Sequence, residues 1–126
     1  MMRHKFGRFA ALTVFALLAA CSTSGSGDPA KVVEQYLQAK VAADETAMRG
    51  LLCSAMEADL SVEASSFAGL ETRLDSMTCT RDGEGRTVTC TGKIVVTYGT
   101  EDSDFPLSTY SVVQEDGAWK WCGETE

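Results

Sequence analysis

The sequence predicts an α+β domain, with helices first and an antiparallel sheet second, behind an N-terminal export signal. Three observations carry that prediction. Apolar residues recur at helical spacing from Val33 to Leu60. From Leu70 the period shortens to two. Two turn signals, Asp82-Gly83-Glu84-Gly85 and Asp116-Gly117, separate runs rich in Val, Ile, Thr and aromatic residues. Helices followed by strands, rather than alternating with them, imply helices packed on one face of a four-stranded antiparallel meander.

The first twenty residues carry Arg3, His4, Lys5 and Arg8 and no acid, and they end in the apolar run Phe9 to Ala20. A basic start, 12 apolar-run residues and small residues at the end describe a secretory signal peptide, since a membrane-spanning helix needs about 20. The run closes on Leu18-Ala19-Ala20-Cys21, which resembles a bacterial lipobox. That resemblance implies cleavage before Cys21, a diacylglycerol thioether on its sulfur and usually an acyl group on the new amine. The competing reading is an ordinary secreted protein with a cysteine near its cleavage site. Ser22, not Asp, follows the lipidated position, which implies the outer membrane in a cell with two membranes and the outer face of the cell membrane otherwise.

Residues 1–20 are then the signal peptide, and residues 21–28 the lipidated cysteine and a Ser/Gly tether. Residues 29–126 form the single domain. The six residues from Ser22 to Gly27 would reach roughly 12–15 Å as random coil. From Cys21 onward the chain holds all 18 acids and 8 of the 11 Lys and Arg residues, a net charge of −10. Nucleic acid is excluded as a partner, because phosphate contacts need clustered cations, and an anionic leaflet would repel the domain. The partners left are the membrane, through the lipid anchor, and an envelope protein or small ligand of unspecified identity. With 44% hydrophobic and 23% charged residues, the composition is that of a globular chain with one modest core.

Setting Cys21 aside leaves Cys53, Cys79, Cys90 and Cys122, an even set in an exported chain, which suggests two disulfides. A turn centred on Glu84 and Gly85 puts Cys79 opposite Cys90 in a non-hydrogen-bonded pair, where Cα atoms approach to about 4.5 Å. Cys53–Cys122 is left to tie an early helix to the last strand. Zinc is the rival reading, but the close Cys-x₂₋₄-Cys spacing of such sites is absent, so no metal is expected.

Asp28-Pro29 reads as N-cap and first helical residue, and Val33, Tyr36, Leu37 and Val41 extend that helix to about Ala42. Asp44 can cap a second helix, along which Met48, Leu51, Leu52, Ala55, Met56 and Leu60 form an apolar stripe. Gly50 and the capping-box pattern Ser54-x-x-Glu57 offer a break within it, and Val62 to Phe67 can add a final turn. The strands run from Leu70 to Thr80, Thr87 to Tyr98, Leu107 to Gln114 and Ala118 to Cys122. Glu101-Asp102-Ser103-Asp104 has only a fragment of a calcium-loop pattern and reads as a charged connection between strands. With Asp116-Gly117 as a two-residue turn, Val112 faces Trp121 and Gln114 faces Trp119. Tyr110, Val112, Trp119 and Trp121 then share one sheet face.

This order of elements, with Val33-x-x-Tyr36-Leu37 in the first helix and a closing Glu115-Asp116-Gly117-Ala118-Trp119 hairpin, resembles small exported lipoproteins of the nuclear transport factor two-like (SnoaL-like, cystatin-like) superfamily. The resemblance covers nearly all of residues 29–122. It implies a curved sheet wrapped round the helices as a cone, which can be an enzyme site, a ligand pocket or packed core. Enzymes of that superfamily tend to use Asp, His and Tyr inside the cone.

The chain from Cys21 onward has no histidine, since His4 lies in the signal peptide, and it lacks both a nucleophile elbow and a phosphate-binding glycine loop. No catalytic residue, cofactor or metal is therefore assigned. Tyr36, Tyr98, Tyr110, Trp119 and Trp121 are the candidate pocket lining, with phenol and indole groups as polar handles. Their periodicity equally suits plain core. The expected function is that of a membrane-anchored envelope lipoprotein whose domain binds a ligand or protein partner. The alternative is a small carboxylate- and tyrosine-dependent isomerase, dehydratase or hydrolase.

Overall fold

The structure is a computed structural model describing residues 27–125, so the signal peptide, Cys21 and residues 22–26 of the tether lie outside the described residues. Its elements run α1 (Pro29–Val41), α2 (Glu45–Leu51), a 3₁₀ turn (Ser54–Asp59) and α3 (Leu60–Ser65), then β1 (Glu71–Arg81), β2 (Thr87–Tyr98), β3 (Glu101–Pro106), β4 (Thr109–Glu115) and β5 (Ala118–Glu124). The helices precede a single five-stranded antiparallel sheet, an α+β order. No helix among the described residues is long and apolar enough to cross a membrane.

Both helix starts follow from local chemistry. The Asp28 carboxylate accepts from Ala30 N at 2.9 Å, with Pro29 in the first helical position. The α1 C-terminus closes as Ala43 N donates to Lys40 O at 3.1 Å and Asp44 N to Ala39 O at 2.9 Å. These are the two bonds of a Schellman cap, with Ala43 at φ +52 in the place glycine usually takes. Asp44 then accepts from Ala47 N at 3.1 Å and starts α2.

The stripe from Met48 to Leu60 does break in two, but capping is not the cause. Leu52 makes a parallel bridge to Trp121, and Cys53 N donates to Trp121 O at 2.8 Å, so the chain leaves the helix to join β5. Ser54 caps nothing. Its amide and hydroxyl donate to the Glu115 carboxylate at 3.1 and 2.7 Å, and these bonds hold that carboxyl below its ordinary range.

β2 is the spine of the sheet. One edge pairs with β1, with Cys79 opposite Cys90; the other pairs with β4 at Thr87–Thr89 and with β3 at Lys93–Tyr98. β4 pairs with β5 through a turn whose two central residues, Asp116 and Gly117, both have positive φ (53° and 78°), as a two-residue hairpin demands. Val112 lies opposite Trp121 and Gln114 opposite Trp119. The two disulfides are Cys79–Cys90 and Cys53–Cys122, with Cα separations of 4.1 and 5.2 Å.

Two features depart from the sequence reading. The acidic stretch at Glu101 is the strand β3 and not a connection, which raises the strand count from four to five. Asp102 accepts from Thr97 Oγ1 at 2.6 Å and Asp104 from Lys93 Nζ at 2.8 Å, so its charges are satisfied from β2. Acids on an open edge also discourage pairing with another chain. Secondly, the β1 register shifts between Asp75 and Thr78, opposite Gly92. Gly92 has φ +97, and a Cβ there would lie 2.5 Å from Ser76 O, so only glycine fits beneath this bulge.

The core forms where α1 lies against the sheet. Val33 and Tyr36 from α1, Met48 from α2, Val88 from β2, Val112 from β4 and Trp121 from β5 are all buried in one cluster.

Candidate ligand-binding cleft

On α1, Tyr36 and Lys40 stand four residues apart and so share one helix face. Glu63 lies on α3, and Phe67 in the turn that follows it. Glu63 meets the α1 face. Glu63 Oε2 accepts from Tyr36 Oη at 2.8 Å and from Lys40 Nζ at 2.7 Å. Among the described residues no hydrogen bond reaches Glu63 Oε1. The ion pair is only partly screened by water, as the Lys40 and Glu63 side chains are 20% and 22% exposed.

Beside this pair opens a cleft of about 370 Å³ between α1, α3 and the strands β2 to β5. That volume falls in the range of small-molecule sites. Its inner wall is the Tyr36 ring stacked on Trp121, with centroids 3.8 Å apart and planes at 11°. Phe67 and Phe105 form a second aromatic pair at its mouth, 6.1 Å apart and tilted by 55°. In the β2–β3 register Phe105 lies opposite Ile94, so both present the same face.

Three polar groups of cleft-lining residues have unused hydrogen-bonding capacity. Trp121 is 3% exposed, and its indole N–H is buried without an acceptor among the described residues. A buried donor left unpaired is uncommon and asks for a reason. Tyr110 Oη accepts from Ser108 N at 3.3 Å, while its own proton has no acceptor among the described residues. Glu63 Oε1 is the third.

Burial pushes the Tyr36 phenol well above its ordinary pKa, reinforced by the hydrogen bond to Glu63 and by its charge. Burial likewise raises Tyr110, outweighing the Ser108 amide, and the charges of Glu124 and Glu63 add to it. Both phenols therefore stay protonated at neutral pH and serve as donors.

Of the five aromatic residues expected to line a pocket, Tyr36, Tyr110 and Trp121 do so. Tyr98 and Trp119 do not. Tyr98 sits at the turn into β3 and is 47% exposed. Trp119 shares Trp121's sheet face but lies nearer the hairpin tip, under the Arg81 guanidinium, 4.9 Å from its ring centroid. Sequence reasoning passed over Lys40, Glu63, Phe67 and Phe105. The helical spacing 36/40 was a signal for one pair, but nothing local joins it to Glu63. A second groove, between α1 and α2, is larger at about 480 Å³ but more open, lined by Ala39, Ala42 and Ala47 with no aromatic wall.

Comparison with known proteins finds no matching family model, curated protein or solved structure.

Proposed function

We propose that the chain is an exported, lipid-anchored envelope protein whose domain works by binding a small ligand in the Tyr36–Trp121 cleft. On this reading the cleft is the mouth of a cone of the nuclear transport factor two-like kind. The observation that carries the binding reading is an aromatic-walled cleft of ligand size beside the Tyr36–Glu63–Lys40 cluster. The two disulfides and the export signal agree on an oxidising compartment.

Each half of the proposal has its own measurement. Cys21→Ala is expected to move the protein out of membrane fractions, and unchanged membrane attachment would refute the anchor. For the cleft, Trp119→Phe leaves Trp121 as the single tryptophan, because the chain has two. Titrating that variant with benzyl alcohol should change its fluorescence and shift the Trp121 indole N–H resonance in a saturable way. A linear, non-saturating response would count against a site.

A second reading draws on the Tyr36–Glu63 contact, which places a carboxylate beside a phenol at an open cleft. In it the domain is a small isomerase, dehydratase or hydrolase, with Glu63 Oε1 as proton acceptor and Tyr36 as positioning donor. Turnover that disappears in Glu63→Gln while the fold stays intact would select this reading over simple binding.

A further inference from the structure

We infer that the ligand of the cleft is an organic cation with an apolar body, its charge facing Glu63 and Glu124 and its body against Phe67, Phe105 and Ile94. The inference rests on the binding reading above and adds the ligand's chemistry to it.

The charges come first. Two carboxylates, Glu63 and Glu124, and one ammonium, Lys40, border the cleft, which leaves it one unit negative. Glu124 pairs with Tyr110 across β4 and β5, and Glu63 reaches the cleft from α3, so the two acids approach from different elements. Lys40 cancels only part of this. It is bound to Oε2 of Glu63, leaving Oε1 and the Glu124 carboxylate to meet a ligand. Beyond the cleft, the chain from Cys21 onward has 18 acids against 8 bases, so the wider field also gathers cations and repels anions.

The walls agree with the charges. A cation is attracted to the face of an aromatic ring when it lies within about 6 Å of the centroid. The chain already uses that contact, with Lys40 Nζ lying 6.0 Å from the Phe67 centroid while bonded to Glu63. A ligand cation would find the same two features, a ring and a carboxylate, without the cost of ordering a lysine side chain. The Tyr110 hydroxyl, whose proton has no acceptor among the described residues, is a donor on the cleft lining for an oxygen carried by the same ligand.

Three probes of one size and different charge separate the possibilities: benzyltrimethylammonium, benzyl alcohol and phenylacetate. They are titrated into the full-length protein, purified from membranes in a neutral detergent and carrying Trp119→Phe, with Trp121 fluorescence as readout. Benzyltrimethylammonium is expected to bind about tenfold more tightly than benzyl alcohol, and phenylacetate more weakly than either. Raising the salt concentration should weaken the cation and leave the alcohol unchanged. Glu63→Gln should lose the preference for the cation. Lys40→Gln, which frees the Glu63 carboxylate, should strengthen it. The salt series needs no further variant, so it decides the matter even if Glu63→Gln fails to fold. Equal affinities for cation and alcohol, or a preference for phenylacetate, overturn the inference and leave the cleft a binding site. No saturable binding by any of the three overturns the binding reading together with it.

Discussion

Replacing Trp121 with alanine is expected to cost about 3–5 kcal/mol of stability, the range for removing a large aromatic from a packed core. Its burial and two contacts make this position costly. The ring is 3% exposed, it stacks on Tyr36 at 3.8 Å, and it sits opposite the fully buried Val112. Truncation would open a void against α1, and Tyr36 cannot readily move to fill it because its hydroxyl is held by Glu63. For a domain whose whole stability is of the order of 5–15 kcal/mol, this loss is a large share. Trp121→Phe is the informative companion. It keeps an aromatic face for Tyr36 and removes an N–H that has no acceptor, so part of the lost packing is offset by one less unpaired buried donor. It should cost less than half as much as alanine. Urea unfolding gives both numbers, provided the slope with denaturant stays constant. An alanine variant within 1 kcal/mol of the parent would show that the ring is not core.

Several elements are legible in the sequence because their causes are local. Asp28-Pro29, Asp44 and Asp116-Gly117 act within three or four residues, and each appears in the structure where its chemistry puts it. The Cys79–Cys90 pair follows from the turn between β1 and β2, another local constraint. β3 was invisible because its cause is not local. Four of its six residues are Glu, Asp, Ser and Asp, poor strand formers, and their partners Arg73, Lys93 and Thr97 come from neighbouring strands. The bulge at Ser76 was equally hidden, since no glycine marks it on β1; the glycine that permits it is Gly92, across the sheet. The cleft divides in the same way. Tyr36, Tyr110 and Trp121, which border the cleft, could be read from helical and strand periodicity; Tyr98 and Trp119, read in the same way, lie away from it. The Glu63 contact could not be read, because 27 residues and the break at Cys53 separate it from Tyr36.

That break leads to the other large effect expected. Removing the Cys53–Cys122 disulfide, by Cys53→Ala with Cys122→Ala, should cost about 4 kcal/mol in the chain-entropy account. The pair is separated by 69 residues, so in the unfolded chain it closes a loop holding α3 and nearly all of the sheet. Cys79–Cys90 is separated by 11 residues, and the same account gives it about 3 kcal/mol. The ranking is the test, since the two bonds differ chiefly in loop length. Around Cys53 the folded state keeps other ties: Cys53 N to Trp121 O at 2.8 Å, Ser54 Oγ to Glu115 at 2.7 Å and Lys120 Nζ to Gly50 O at 2.6 Å. These hold α2 and the 3₁₀ turn against the β4–β5 hairpin once the chain is folded, but they do not restrict the unfolded ensemble. The double alanine variant should therefore keep its native circular dichroism at low temperature while its melting temperature falls by roughly 15–30 °C, given 4–8 °C per kcal/mol for a domain of this size. The Trp121 environment should be unchanged below the transition. If Cys79→Ala with Cys90→Ala proved the more damaging pair, loop entropy would not be what the long disulfide contributes, and its role would lie in the local geometry at Trp121.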